Sequence, residues 1–408
     1  MIATKIASVA LFSCFLFSCG EVVTAGAAGD PDASGVDVDS GVVDVTASYD
    51  DPAIQDLLNL PDPAISYEPE LPTHFLGADV SGLDNTGANT ISDNGATLGR
   101  VLFYDTLLSF NETISCSSCH KAASGFADPT VLSDGFGGGV TGRNSMAIVN
   151  LRYYQNGKMF WDERADSVEH QVLMPIQDSV EMGMALNDLV LRLQNTEHYP
   201  ILFELAFGDS EVTSDRISLA LGQFVRSMVS TGSRYDDAIV AGGNPMGPFS
   251  GFTQAENQGK GLFFGPPEMG GAGCAGCHMA PPPNLAIFQP GRALNNGIVN
   301  ASDSDQGLGD VSGVTADDGL FKVPSLRNIG KTAPYMHNGS KASLMDVVEH
   351  YNSGILAHPN LDPRLKDGTG APIQLNLSEE DKAALVAFLG TLTDTTMLSA
   401  EKFSSPFR

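Results

Sequence analysis

The pattern of apolar and polar positions reads mostly as helix. Residues 92–104 place Ala96, Leu98, Val101, Leu102 and Phe103 on one face, the spacing of an amphipathic helix. Residues 187–194 and 214–229 repeat that periodicity. Thr253-Gln254-Ala255-Glu256 is a capping box that starts a helix running through Gly261-Leu262-Phe263-Phe264. Ser378-Glu379-Glu380-Asp381 opens a last helix whose stripe is Ala383, Leu385, Val386, Phe388 and Leu389. Strand signals are sparse, and Gly and Pro punctuate the long connections.

Two segments depart from this pattern. Residues 6–17 form an apolar run behind a lone basic Lys5, too short to span a bilayer comfortably, and read as a signal peptide. The run ends in Leu16-Phe17-Ser18-Cys19-Gly20, a lipobox-like sequence that would leave a lipid on Cys19. Phe17 is unusual there, Leu11-Phe12-Ser13-Cys14 offers the same pattern earlier, and plain secretion is the competing outcome. Between Glu21 and Gly99 there is no Lys or Arg, and the Gly-, Ala-, Ser-, Val- and Asp-rich start of that stretch reads as a solvated tether. The expected order is signal peptide 1–18, acidic tether 19–70, a first domain 71–240 and a second domain 241–408. Gly20 after Cys19 favours the periplasmic side of the envelope with an outer-membrane anchor.

The formal charge of -27, from 49 acidic and 22 basic residues, argues against nucleic acid and anionic lipid surfaces as partners and suits a basic electron-donor protein. At 408 residues and 42% hydrophobic, the chain has ample material for a buried core.

Of six cysteines, Cys14 and Cys19 belong to the export segment. The other four form Cys116-Ser117-Ser118-Cys119-His120 and Cys274-Ala275-Gly276-Cys277-His278. Cys-x-x-Cys-His is the attachment signal of c-type haem: two thiols at that spacing reach both vinyl groups while the adjacent imidazole turns onto the iron. A shared zinc or two redox disulfides would use the cysteines but give neither His a task. Two covalently bound c-type haems follow, one in each half of a mostly α fold of two cytochrome c-like domains packed against each other, with long loops and few short strands.

Beyond the haem motifs, the chain from about Asn94 to Leu392 resembles the bacterial di-haem cytochrome c peroxidase and MauG superfamily. The likeness rests on residues 98–105, on Leu108-Ser109 and on Arg143-Asn144-Ser145. It continues through Phe160-Trp161-Asp162-Glu163-Arg164-Ala165, Val180-Glu181-Met182-Gly183, Val323-Pro324-Ser325-Leu326-Arg327-Asn328 and residues 333–340. The resemblance implies a peroxidatic first haem held by His120, an electron-passing second haem held by His278, and Trp161, the only Trp, as the bridge. It puts Glu181 over the peroxide-binding face, where a shielded carboxyl can move a proton between the two peroxide oxygens. It also implies one calcium ion bound by the Asn144 side chain and the Thr332 and Pro334 carbonyls. The Asp-rich stretch 303–310 lacks EF-hand spacing and is expected to be a loop.

Two departures from the conventional peroxidases matter. Phe136 occupies the place of their distal His, which implies a first haem that is open at rest, with residues 135–142 lining its access route. At the second haem the distal position falls on Tyr351, with His350, Met345 and Met336 as alternatives. A phenolate there would favour ferric and higher states, a combination similar to MauG and MbnH-like enzymes. The implied function is hydrogen-peroxide-dependent oxidation. Electrons would come from a periplasmic cytochrome c or cupredoxin, or from residues of a dedicated protein substrate. A di-haem carrier without catalysis is the competing class.

Overall fold

The computed structural model describes residues 47–279 and 288–408; the signal sequence, Cys19 and most of the tether lie outside them. The first half is built on the Asp93–Tyr104 helix, started by the Ser92 hydroxyl accepting from the Gly95 N–H. It crosses the Ser214–Ser227 helix, which Thr213 caps in the same way. The crossing is close because position 99 is glycine: a Cβ there would overlap the Ala220 carbonyl. Phe103 meets Phe224 edge-on at 5.4 Å.

The second half repeats the device. The Gln254–Phe264 helix begins at the expected capping box of Thr253 and Glu256. The Glu379–Gly390 helix begins at a box formed by Ser378 and Asp381. Gly259 lies against the Ala384 carbonyl with no room for a side chain, and Phe263 meets Phe388 at 5.2 Å. Gly99-Arg100-Val101-Leu102-Phe103 and Gly259-Lys260-Gly261-Leu262-Phe263 are therefore one structural unit used twice. Each is followed by a one-turn helix at a cysteine pair: Cys116–Cys119 spans the first pair, and Ala275–His278 holds Cys277 with Cys274 at its N-cap. The fold is mostly helical among the described residues, with one two-stranded sheet, Ala293–Leu294 antiparallel to Phe321–Lys322.

Helices Val168–Gln177, Leu186–Gln194 and His198–Phe207 complete the first half, and Arg234–Val240 and Leu344–Ser353 belong to the second. The sequence periodicity singled out only Leu186–Gln194 among these. Arg234–Val240 packs in the second core although it precedes residue 241, and two further segments cross the expected boundaries. Tyr49, Ile54, Leu58, Leu60 and Tyr67, inside the expected tether, are buried in the first core, so packed structure begins by residue 49. The chain end also returns to that core. Phe403 lies against Phe126 and Phe224, Tyr104 donates to its carbonyl (2.5 Å), and Arg100 donates to the Ser404 carbonyl (2.8 Å). A capping signal marks where a helix starts, whereas these contacts link residues from 179 to 304 positions apart, which local pattern does not encode.

Candidate functional site

Two large cavities open in the structure, one in each half. Their empty volumes, open mouths included, are about 1470 Å³ and 1630 Å³.

The first cavity is lined by Cys119, His120, Met159, Phe160, Arg164 and Glu181. Cys116 packs behind it on the first core. His120 follows the Cys116–Cys119 turn, and its Nδ1 lies 3.1 Å from the Phe126 carbonyl. With Nδ1–H donating there, Nε2 keeps its lone pair for a metal. Burial holds the His120 pKa below the ordinary imidazole range against the pull of that carbonyl, so the ring is neutral and able to ligate. The Ser145 hydroxyl donates to the Cys119 carbonyl at 3.1 Å, fastening the turn.

Glu181 is half-buried in the same cavity. Burial pushes its carboxyl above the usual range and Asp178 adds to that, while Arg164 opposes it. The Asp178 carboxylate accepts from the N–H groups of Val180 and Glu181 (2.8 and 3.0 Å), which fixes the turn that presents the acid. Phe136 stands directly beside it: its N–H donates to the Glu181 carbonyl at 3.1 Å, and its ring fills the space over Gly183 and meets Phe110 at 6.0 Å. Phe136 is not among the residues lining the cavity. Of the neighbouring loop, Ser133, Thr141 and Gly142 line it, so the expected access route is met only at the loop's base.

The second cavity is lined by Cys274, Cys277, His278, Met336 and Tyr351, among others. Burial pushes His278 down to about 4, and its Nδ1 has no partner in hydrogen-bonding geometry, although the Pro324 carbonyl is close enough to raise its basicity. The Tyr351 hydroxyl accepts from Asn296 Nδ2 at 3.2 Å, and the same Nδ2 lies 3.5 Å from Met336 Sδ. Burial, and the Cys277 and Cys274 thiols beside it, hold the Tyr351 phenol well above its ordinary pKa. His350 is turned away: it is buried, its Nε2 is bonded to the Asn296 carbonyl at 3.0 Å, and it does not line the cavity. Met345 does not line it either. Tyr351 and Met336 therefore line the same cavity as His278 and meet at Asn296.

The four cysteines among the described residues are free, and the two pairs serve different cavities, which speaks against one shared metal. Each cavity thus has a cysteine pair at or beside its wall and a neutral imidazole lining it, and the residues fit a covalently attached haem.

Trp161 lines both cavities, as do Asn144, Ser145 and Met146. Its indole N–H donates to the Asn144 carbonyl at 2.8 Å. Asn144, Thr332 and Pro334 all border the second cavity. The Asn144 amide donates its N–H groups to the Thr130 and Val131 carbonyls (3.0 and 3.1 Å), so its oxygen is left for another partner. No cluster of three His, Cys, Asp or Glu suited to a metal occurs among the described residues, and a calcium here would rely on amide and carbonyl oxygens.

Sequence reading missed a charged network around Trp161. Arg143 donates to Asp305 through two nitrogens (2.8 and 2.7 Å) and to Asp162 at 2.5 Å. His337 stacks on Phe321 at 3.7 Å and meets Trp161 edge-on at 6.4 Å. The Asp-rich stretch is accordingly not a plain loop: Asp305 clamps Arg143, and Leu308–Ser312 forms a helical turn. The pairing of residues 143 and 305 is long-range, and nothing local in either segment announces it.

Comparison with known proteins decides between the classes that such a pair of cavities could serve. Residues 93–244 match the family model described as di-haem cytochrome c peroxidase. The chain is 34% identical over 307 residues to the methylamine utilization protein MauG of Methylorubrum extorquens, covering 75% of this chain and 80% of that protein. The chain belongs to the di-haem cytochrome c peroxidase and MauG family. It is also 32% identical to the cytochrome c551 peroxidase of Nitrosomonas europaea, over 73% of this chain and 79% of that one. Among solved structures, a MauG-like protein associated with microbial copper homeostasis aligns with TM-score 0.66 at 33% identity, covering 78% of this chain and 94% of that one. The di-haem peroxidase BthA of Burkholderia thailandensis, at 22% identity, shares the fold with TM-score 0.63. As a member of this family the protein is an oxidoreductase that acts on peroxide and carries two c-type haems.

Proposed function

We propose that hydrogen peroxide is reduced in the His120 cavity with Glu181 as the proton-transfer group, and that the electrons come through Trp161 from the His278 cavity. The observation that carries this reading is the position of Trp161 on the wall common to both cavities, with Glu181 facing the cavity of His120. The bound haems would supply the redox chemistry, and the chain's residues supply ligation, proton movement and orientation. His120 and His278 would ligate the two irons, and Cys116, Cys119, Cys274 and Cys277 would hold the haems covalently. Glu181, as carboxylate, takes the proton of the near peroxide oxygen and returns it to the departing one as water leaves. Its shielded setting raises its pKa, which favours its return of the proton after accepting it.

Tyr351 is the proposed distal ligand in the second cavity, favoured over His350 by its position on the cavity wall. Ligation requires the phenol to lose its proton, and the iron's own charge would supply the drive. Met336, 3.5 Å from the same Asn296 nitrogen, supports a second reading in which a thioether ligates and the protein is a conventional electron-relaying peroxidase. A Tyr ligand favours the storage of oxidising equivalents, and with it oxidation of residues on a partner protein. Electron paramagnetic resonance (EPR) of Tyr351→Phe and Met336→Leu separates the two: only loss of the true ligand changes the low-spin signal of the second haem.

The remaining proposals are a calcium ion at Asn144, Thr332 and Pro334, a lipid on Cys19, a place on the periplasmic side of the envelope, and a cytochrome, cupredoxin or dedicated protein as electron source.

A further inference from the structure

Behind Trp161 lies a group of buried polar side chains that none of these steps uses. Tyr154 is fully buried, and its phenol donates to the Glu163 carboxylate. Glu163 is 6% exposed and takes a second hydrogen bond from Asn156 Nδ2 at 3.1 Å. The Lys322 ammonium lies 3.3 Å above the centre of the Tyr154 ring and donates to the Lys158 carbonyl at 3.0 Å. Burial lowers the Lys322 pKa to about 7, against the pull of Glu163.

The placement of this group is as specific as its chemistry. Lys322 lines the His278 cavity, Met159 lines the His120 cavity, and Lys322 Nζ touches Met159 Sδ at 3.6 Å. The Lys322 N–H donates to the Trp161 carbonyl at 2.7 Å. Glu163 lies two residues beyond Trp161 on the turn closed by the Met159 and Ala165 pairing. Tyr154 is thus held against the residues that separate the two cavities.

Two features are costly for a merely structural role. A buried carboxylate balanced largely by neutral donors is expensive to desolvate. Glu163 also adopts φ +56° and Phe160 φ +69°, a left-handed backbone that costs about 1–3 kcal/mol for each non-glycine residue. A glycine at position 163 would remove the buried charge and the strain at that position, yet the acid is there, bonded to a phenol.

We infer that Tyr154 is a third redox centre, oxidised by one electron with Glu163 as its built-in proton acceptor. The inference rests on the peroxide reading above, which supplies the oxidant. The electron leaves the ring for the oxidant generated by peroxide in the adjoining cavities, and the phenolic proton crosses the existing hydrogen bond to Glu163. Phenol and carboxylate become a neutral phenoxyl radical and a carboxylic acid. Moving the proton keeps the ring uncharged beneath the Lys322 ammonium, which would otherwise oppose removal of an electron. Burial and the neighbouring carboxylate hold the phenol far above its ordinary pKa, so Tyr154 does not lose its proton before oxidation.

The test is freeze-quench EPR, with parallel haem absorption spectra, of the holoprotein mixed with one equivalent of hydrogen peroxide and no reductant. It uses protein containing ordinary or ring-deuterated tyrosine, so the first measurement needs no variant. The expected result is a tyrosine-derived signal that narrows on deuteration, is absent from Tyr154→Phe, and forms about 10²-fold more slowly in Glu163→Gln, which lacks the proton acceptor. Haem spectra that change with peroxide while no such signal appears, or a signal that survives in Tyr154→Phe, overturn the role of Tyr154 alone. Haem spectra indifferent to peroxide overturn it together with the peroxide reading.

Discussion

Replacing Glu181 by Gln keeps the size of the side chain and the hydrogen bonds its backbone makes to Asp178 and Phe136, and removes only the capacity to carry a proton. General acid–base groups contribute about 10²–10⁴-fold to rate. Because Glu181 is half-buried and its cavity opens to solvent, water can replace part of its function. The expected loss is therefore near the lower end, about 10²-fold in kcat/KM for peroxide, or about 3 kcal/mol of transition-state stabilisation. The assay is stopped-flow bleaching of the haem bands against peroxide concentration, with the resting spectra as a control for intact haems. The carboxylate is the form that accepts the peroxide proton, so the rate falls as pH drops through the raised pKa. Asp178 raises that pKa and Arg164 lowers it. Asp178→Asn should accordingly move the acid limb to lower pH and Arg164→Gln to higher pH. A Glu181→Gln variant reacting at more than half the normal rate, or limbs that do not move in opposite directions, would refute the assignment.

Trp161→Phe should leave peroxide bleaching of the first haem intact and slow the response of the second by at least about tenfold, seen as two separated phases in the same stopped-flow trace; a single phase would remove Trp161 from the path. Asp236 accepts from the buried Arg327 at 2.8 Å and from Ser233 at 2.5 Å, and its carboxylate lies 2.8 Å from His74. Burial alone would raise its pKa, but Arg327 and these bonds hold it far below the ordinary carboxylate range. Its contribution is therefore complete above the unfolded value of about 4 and is lost progressively as pH falls from there toward the lower folded value. Asp236→Ala should cost about 3–5 kcal/mol in denaturant unfolding at pH 7 and flatten the acid side of the stability profile; an unchanged midpoint would contradict the pairing. Gly99→Val and Gly259→Val each drive a side chain into a facing helix carbonyl. Each should lower stability by at least about 2 kcal/mol, measured by thermal unfolding.

What could be read from the sequence was what is encoded locally. The capping boxes at Thr253 and Ser378, the helix from Asp93 and both Cys-x-x-Cys-His turns are written in residues a few positions apart, and the structure has them in place. The repeated helix crossing was half legible: the apolar stripes are plain, but that Gly99 and Gly259 are small for the same reason emerges only when their partners Ala220 and Ala384 are seen. The return of Phe403 to the first core, the Arg143 and Asp305 clamp and the Tyr154, Glu163 and Lys322 group join distant segments and leave no periodic trace. His350 and Tyr351 differ by one position in the same helix. Its rotation, which sends one into the cavity and the other to the Asn296 carbonyl, could not be counted from residue spacing.

Under the proposed function, peroxide meets an open iron site beside Glu181, and the second haem, held by His278 and Tyr351, shares the oxidation. The most direct measurement is the visible and EPR spectrum of the resting diferric protein, repeated after one equivalent of peroxide without reductant. A high-spin haem beside a low-spin one, both bleached together into a long-lived state, is the predicted result. Two low-spin haems that ignore peroxide until one is reduced would contradict it.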